Sequence, residues 1–297
     1  MTKSVLILGS SGRTGRHASR AFKAAGWEVR RFQRNVDDPS TASAGCQVIV
    51  NGMNPPHYHA WDRIVPEITE LALTAARASG ATVLLPGNVY NFGAEGGVWS
   101  EDTPHRPCTR KGRIRVEMEE AYRESGVRTI VLRAGNFIDP ARQGDIMSYL
   151  LKDFRKGRVT RLGPSHIPQA WAYLPDWAHA AVGLAEQRDT LSTFEDVPFP
   201  GHTFSYEDLR RALEPISDRP LRLSPFPWWL MKLASPVWEL GREMSEMRYL
   251  SDTPHELSGK KFSQLLPEFE ATTLSTVMTA ALPEVPRASK AQESVGV

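Results

Sequence analysis

Three glycines near the start of the chain have a spacing that favours phosphate binding. Gly9, Gly12 and Gly15 follow the apolar segment Ser4–Leu8, and a helical pattern begins directly after them. In such a strand–turn–helix unit the first glycine permits a sharp turn, the second lets the backbone approach a pyrophosphate, and the third lets the helix pack on the sheet. The helix N-terminus also offers free N–H groups and a partial positive charge to an anion. The segment therefore predicts a dinucleotide site at Gly9, Ser11, Gly12, Arg13, Thr14 and Gly15.

Basic residues at two points predict which dinucleotide is bound. Folds selective for NAD usually carry an acidic residue at the end of the second strand, where it binds the ribose 2′-hydroxyl. Here the second predicted strand, Glu28–Phe32, is followed by Gln33 and Arg34, with no acid at that point. Arg34 and Arg13 can bind a 2′-phosphate through charge-assisted hydrogen bonds. The sequence thus predicts NADP(H) in preference to NAD(H); the alternative for Arg34 is a solvated charge at a strand end.

Alternating strand and helix patterns must position these residues. Apolar strand patterns over 47–50, 81–85 and 129–132 are separated by helical patterns over 61–79 and 109–125. Repeated βα units predict an α/β fold with a Rossmann-type doubly wound parallel sheet. Ligands bind at the carboxyl ends of such strands. This placement adds three residues to the predicted cofactor site, namely Asn51, Gly52 and Gly87.

The alternation weakens past about residue 140. We expect residues 1–140 to form an NAD(P)-binding Rossmann domain, and residues 141–286 a smaller, mixed C-terminal substrate lobe with segments returning to the sheet. The pattern Ser205–Leu209 predicts a capped helix start. The Trp- and Met-rich segment 226–250 predicts helix without an assigned role. Residues 287–297 are small and polar, and we expect them to be a disordered tail.

Composition argues against several other classes of protein. The net charge of +2 over 297 residues does not favour a nucleic-acid partner. The longest apolar stretch, residues 228–238, is too short for an integral membrane segment and contains Lys and Pro. Cys46 and Cys108 have neither metal-ligand nor disulfide spacing, and no signal peptide precedes the first strand. We expect a cytoplasmic monomer or homodimer with a small-molecule substrate and no metal site.

The glycine loop and later segments resemble the short-chain dehydrogenase/reductase superfamily, in its extended and atypical branches. Those branches include the NAD-dependent epimerase/dehydratase and NmrA-like types. Asn88–Gly93 is similar to their V-Y-G stretch after the central strand, Arg133–Phe137 to their R-P-G-N segment, and Ala172–Ala178 to the strand and helix start that close over substrate. The resemblance covers most of residues 1–280 and implies a nicotinamide cofactor.

Two positions depart from that pattern. Pro86 stands where these families usually carry a catalytic Ser or Thr, and Pro107 stands where a Tyr-x-x-x-Lys motif ending at Lys111 would place its tyrosine. Thr109 and Arg113 have the motif's spacing without its chemistry, because Thr is a far weaker acid than Tyr and Arg does not readily lose a proton. The usual alcohol/ketone mechanism of the superfamily therefore lacks its acid here.

The same helix resembles isoflavone-reductase-like and phenylcoumaran-benzylic-ether-reductase-like enzymes more closely. Their K-x-x-I-R-x-x-x-E pattern matches Lys111, Ile114, Arg115 and Glu119. This likeness implies that Lys111 is catalytic and contacts the cofactor; the alternative is an exposed lysine among other basic residues. Tyr90, close to the end of the central strand, is the second candidate for moving a proton.

Three functions are compatible with these observations. The first is an NADP(H)-dependent oxidoreductase of the atypical short-chain type that transfers hydride to or from a small organic substrate. The second is a nucleotide-sugar epimerase or dehydratase with bound NAD. The third is a non-enzymatic, NmrA-like redox sensor that binds NADP(H). The glycine loop is intact, whereas the usual catalytic Ser/Tyr pair is absent. Cofactor binding is therefore easier to predict from the sequence than the reaction that is catalysed.

Overall fold

A six-stranded parallel sheet lies at the centre of the computed structural model, which describes residues 2–55, 58–141, 144–234 and 238–282. The strands, numbered along the chain, are β1 (Ser4–Leu8), β2 (Glu28–Arg31), β3 (Val48–Asn51), β4 (Thr82–Gly87), β5 (Gly97–Trp99), β6 (Thr129–Arg133), β7 (Asn136–Ile138), β8 (Arg158–Arg161), β9 (Gln169–Tyr173), β10 (Phe194–Pro198), β11 (His202–Phe204), β12 (Arg222–Pro225) and β13 (His255–Leu257). The central sheet has the order β10-β6-β4-β3-β1-β2, and every neighbouring pair in it is parallel. The carboxyl ends of these strands therefore meet at one edge.

Helices cover both faces of this sheet, and further helices belong to the later part of the chain. They are α1 (Arg13–Ala24), α2 (Pro39–Ser43), α3 (Trp61–Ser79), α4 (Arg110–Glu124), α5 (Ile146–Leu150), α6 (Leu174–Glu186), α7 (Tyr206–Leu213), α8 (Trp228–Ala234), α9 (Glu239–Glu246), α10 (Tyr249–Asp252), α11 (Lys260–Leu265) and α12 (Leu274–Ala281). On β1, Val5 and Ile7 pack into one core with α1 and α6, whereas Leu6 and Leu8 pack into a second core with α3 and α4. Because alternate side chains of a strand point to opposite faces, this two-sided burial confirms the predicted doubly wound α/β fold.

The later part of the chain builds a smaller layer beside the carboxyl edge. There β9 lies between β7 and β11, and β8 pairs with β12. A separate apolar core, which includes Ile138, Met147, Trp171 and Leu209, joins these strands to α5 and α7. One late strand, β10, returns to the central sheet beside β6. The division at residue 140 stays a prediction, and the predicted disordered tail, 287–297, lies outside the described residues.

One predicted element in the later part of the chain agrees with the structure in detail, and one differs. Ser205 caps α7 as predicted, in a capping box with Asp208. The segment 226–250 contains α8, α9 and the start of α10 rather than one helix, and the exposed side chains of Trp229 and Leu230 show that its apolar residues are not all buried. None of the helices in the described part of the chain is long and apolar enough to span a membrane.

Candidate functional site

The glycine loop joins β1 to α1 through close backbone contacts. Gly9 has a φ of +74°, a left-handed conformation that favours glycine. A Cβ atom on Gly15 would lie 2.2 Å from the carbonyl oxygen of Gly9, so α1 can approach the loop only because this residue has no side chain. Gly12 is the N-cap residue of α1 and makes no side-chain capping bond. The N-terminus of α1 therefore keeps donors and a partial positive charge for an anion.

A cavity of about 690 Å³ opens in front of this loop, along the carboxyl edge of the sheet. Seven of the predicted site residues line it, namely Gly12, Arg13, Thr14, Asn51, Gly52, Gly87 and Tyr90. Gly9 and Gly15 shape the loop behind it, and Ser11 is exposed beside it. The side chain of Asn51 donates to the Tyr122 hydroxyl at 3.0 Å, which turns it away from a ligand. The lining described for this cavity includes neither Arg34 nor Lys111.

The turn after β2 holds an acid that the sequence pattern missed. Arg34 is half-exposed and lies 3.7 Å from the carboxylate of Glu67. Asp37 folds back so that its Oδ2 accepts the backbone N–H of Gln33 at 2.7 Å. Asp37 lies beyond the strand tip in sequence, and only the turn brings its carboxylate back to the end of β2. Both a cation and an anion therefore stand where selectivity for a ribose 2′-group is determined.

Lys111 lies in a buried ion cluster instead of the cavity lining. Its side chain is fully buried, and its ammonium bonds to the carboxylates of Glu243 and Glu246 on α9, the second at 2.5 Å. The backbone N–H of Lys111 also donates to Glu246. Burial opposes ionisation of Glu246, but the hydrogen bonds and the positive charge of Lys111, with a backbone bond from Arg110, together outweigh it, so the pKa of Glu246 is lowered. Lys111 is therefore not the exposed lysine of the alternative interpretation, and it ties α4 to α9.

A pair of tyrosine hydroxyls faces the cavity beside the end of β4. The oxygens of Tyr58 and Tyr90 lie 3.4 Å apart, and the ring of Trp61 packs against both rings. The ammonium of Lys111 lies 5.1 Å from the centre of the Tyr58 ring. The nearby Tyr90 hydroxyl, and then burial, raise the pKa of Tyr58 well above its ordinary value. Tyr58 therefore keeps its proton near neutral pH and can donate it in a hydrogen bond; its position in a Pro-rich loop after β3 was the only signal available in the sequence.

Arg115 supplies a positive charge to the cavity one helical turn beyond Lys111. Its guanidinium lies 4.9 Å from the Trp61 ring and donates to Asn54 Oδ1 at 2.9 Å. Its buried Nε has no hydrogen-bond partner among the described residues. Burial lowers the pKa of Arg115, and the nearby Tyr90 opposes that effect. Because an arginine stays charged, Arg115 keeps a positive charge at the cavity wall.

A second buried cluster holds β4, β6 and β10 together next to the site. Arg133 donates to the carboxylates of Glu119 and Asp196 and to the carbonyl oxygen of Asn88. Although burial opposes the charge of Arg133, the two carboxylates raise its pKa. The ligand-type atoms of Glu119, Asp196 and His105 lie within 4.8 Å of one another. Because Arg133 already balances these carboxylates, the cluster is suited to fixing strand ends and not to holding a cation.

Comparison with solved structures identifies the fold. MoeE5, solved in complex with UDP-glucose and NAD, matches with a TM-score of 0.73 at 15% sequence identity, over 94% of this chain and 97% of that one. A putative epimerase from Burkholderia cenocepacia J2315 matches with a TM-score of 0.73 at 15% identity, over 94% and 96%. The chain has the fold of nucleotide-sugar epimerases. The UDP-glucuronic acid 4-epimerase from Bacillus cereus, in complex with NAD, matches with a TM-score of 0.72 at 15% identity, over 94% of each chain.

These matches agree with the resemblance to the extended short-chain dehydrogenases and confirm its fold. No protein-family model and no curated protein sequence matches the chain. At such low identity the likeness extends to the fold alone, so the reaction has to be argued from the side chains of this chain.

Proposed function

We propose that this protein binds a nicotinamide dinucleotide and catalyses hydride transfer at a hydroxyl or carbonyl carbon of a small organic substrate. The observation that carries the proposal is the single cavity that joins the open N-terminus of α1 to the Tyr58–Tyr90 pair. Several proteins of the same fold are solved in complex with NAD, which supports a cofactor of this class. When bound, the nicotinamide ring supplies or accepts the hydride.

The glycine loop is suited to hold the cofactor phosphates. The N–H groups of Arg13 and Thr14 at the start of α1 would contact the pyrophosphate. We further propose NADP(H) over NAD(H), because Arg13 lines the cavity and Arg34 stands half-exposed near the end of β2. An exposed ion pair such as that between Arg34 and Glu67 contributes at most about 1 kcal/mol, so a 2′-phosphate can replace it. The carboxylate of Asp37 at the same strand end opposes this preference, because an acid there favours the ribose 2′-hydroxyl of NAD(H).

The tyrosine pair is suited to move the proton that accompanies the hydride. In reduction, the substrate oxygen would take a proton from Tyr90 or Tyr58 as the carbon gains the hydride, and solvent would return that proton to the pair. Arg115 would stabilise the developing negative charge on the same oxygen. Lys111 is held beneath the Tyr58 ring by two carboxylates, which supports a positioning role for it rather than the catalytic role implied by family resemblance.

Tyrosine variants test this assignment. Tyr90→Phe and Tyr58→Phe keep the rings and remove the hydroxyls; loss of the proton-donating one should lower turnover by about 10²- to 10⁴-fold, since that is the usual contribution of a general acid. Tyr149→Phe is the matched control, because its ring also lines the cavity while its hydroxyl bonds to Lys152. Turnover is followed by the absorbance of the reduced cofactor. Unchanged rates in both hydroxyl variants would contradict the mechanism.

The second candidate is a nucleotide-sugar epimerase with bound NAD. It is favoured by the fold comparisons, since MoeE5 was solved with UDP-glucose or UDP-glucuronic acid together with NAD. In an epimerase the hydride leaves the sugar and returns to it, so a new epimer forms without net change in the cofactor. Incubation with UDP-glucose and NAD, analysed by proton NMR, separates the two candidates. Cofactor binding with no turnover of any substrate would instead support the non-enzymatic redox sensor.

A further inference from the structure

The cavity lining that comes from the later part of the chain has a surface built mainly from apolar side chains. This part, which we name the distal half because its residues follow β6 in the chain, is lined by Phe137 from β7, Ile146 and Tyr149 from α5, Leu162 after β8 and Trp228 from α8. Methionine and leucine side chains from α9 and α10 complete it, namely Met244, Met247 and Leu250. Because several separate elements contribute, the apolar surface is a property of the tertiary fold and not of one exposed loop.

Two polar side chains at the distal half, Asp145 and Gln169, are already occupied. The two carboxylate oxygens of Asp145 accept the backbone N–H groups of Ser148 and Asp139 at 2.8 and 2.7 Å. Gln169 donates its side-chain amide to the carbonyl oxygen of Leu250 at 3.0 Å. The bonded atoms of these two side chains hold the wall together and are not free for a ligand.

Positive charge is sparse in the same region. Among the described residues that line the distal half, Arg248 is the one cation, and it is half-exposed, 4.0 Å from Asp252 and stacked over Trp228. A nucleoside diphosphate would place two phosphate charges in this space, and proteins normally balance such groups with several Arg or Lys side chains or with helix N-termini. The distal half does not offer that balance.

We propose that the distal half accepts an uncharged, ring-bearing apolar ketone or alcohol whose one oxygen atom reaches the Tyr58–Tyr90 pair. This inference rests on the proposed function and specifies its substrate class. Flexible methionines such as Met244 and Met247 pack well against aromatic rings through their sulfur atoms. In the reduction, the carbonyl carbon takes the hydride of the reduced nicotinamide, the oxygen takes a proton from the tyrosine pair, and the products are the alcohol and the oxidised cofactor.

Ligand binding to the protein saturated with oxidised cofactor tests the proposal. The probes are 4-phenylbutan-2-one, which cannot be reduced under these conditions, and UDP-glucose, each followed by isothermal titration calorimetry. We expect the phenyl ketone to bind and UDP-glucose to bind more weakly or not at all. Tighter binding of UDP-glucose, or binding of neither probe, overturns the proposal. Cofactor affinity is measured beforehand, and failure to bind NADP⁺ or NAD⁺ would instead refute the proposed function.

A matched pair of isoleucine variants locates the binding site. Ile146 and Ile216 are both 38% exposed, but only the first of the two lines the cavity. Ile146→Asn should weaken binding of the phenyl ketone by about tenfold or more, the size expected when an apolar pocket loses a contact. Ile216→Asn should change it by less than about twofold, because surface changes away from a site have small effects. Equal effects of the two variants would overturn the placement of the ligand.

Discussion

Replacing Lys111 by methionine should destabilise the protein strongly. The ammonium of Lys111 is fully buried and bonds to Glu243, whose side chain is only 6% exposed, and to Glu246. Without it, the remaining ion-pair contacts of Glu243 within the described part of the chain are the longer ones to Arg110 and Arg242, at 3.6 and 3.8 Å. Removing one partner of a buried ion pair costs about 3–5 kcal/mol, and we expect the lower end because these two arginines partly compensate.

Urea unfolding measures this loss. With a denaturant slope of about 3 kcal/mol per molar, a loss of about 3 kcal/mol lowers the unfolding midpoint by about 1 M. The triple variant Lys111→Met, Glu243→Gln, Glu246→Gln buries no unpaired charge in the cluster, so we expect it to recover most of the stability. An unchanged midpoint in Lys111→Met, or a triple variant as unstable as the single one, would refute the ion-cluster reasoning.

The same variants separate a positioning role from a catalytic one. If Lys111 acts by holding α9 over the cavity, the triple variant should recover cofactor binding and turnover together with stability. If Lys111 takes part in proton transfer, turnover stays low in the triple variant although the fold is restored. The pH dependence gives an independent check. Because the pKa of Glu246 is lowered in the folded state, its contribution is present above the ordinary glutamate value of 4.5 and is lost as pH falls through the folded pKa.

Further outcomes follow from the loop, the strand end and a buried histidine. Gly15→Ala would place a Cβ 2.2 Å from a backbone oxygen. It should lower the free energy of unfolding, measured by thermal unfolding, by about 1–3 kcal/mol and weaken cofactor binding. Gly12→Ala should lower the free energy of unfolding less, because the nearest atom to its Cβ would be 3.2 Å away. In fluorescence titrations, Arg34→Ala should weaken NADPH binding by about tenfold and leave NADH binding nearly unchanged, whereas Asp37→Asn should weaken NADH binding and leave NADPH binding nearly unchanged. Equal effects on both cofactors would contradict the proposed binding of the 2′-phosphate by Arg34. Burial lowers the pKa of His255 below its ordinary value of 6.5. The stability that the neutral side chain provides is therefore present above that pH and is lost as pH falls towards the folded pKa. His255→Phe should flatten this part of the plot of melting temperature against pH, and an unaltered plot would exclude the residue as a cause.

Local patterns in the sequence predicted the glycine loop and the strand ends that lie at the cavity. The turn at Gly9, the close approach at Gly15 and the helix start at Arg13 depend on residues near one another in the chain, so their types determine their geometry. The alternation of strands and helices likewise follows from periodic apolar residues. Since parallel strands end at one edge, the positions of Asn51 and Gly87 at the cavity followed from the same pattern.

Tertiary structure alone decided what surrounds the substrate. Lys111 and Glu243 are 132 positions apart, and nothing local to either residue shows that they pair. Lys111 and Arg115 lie one turn apart on the same side of α4, yet Lys111 bonds to α9 whereas Arg115 reaches the cavity, a difference set by what packs against each turn. The sequence by itself therefore determined the fold class and the glycine loop, because these arise from short-range geometry. Contacts between distant segments decided the direction of the Lys111 side chain, the Tyr58–Tyr90 pair and the apolar distal half. Composition and spacing do not encode such contacts.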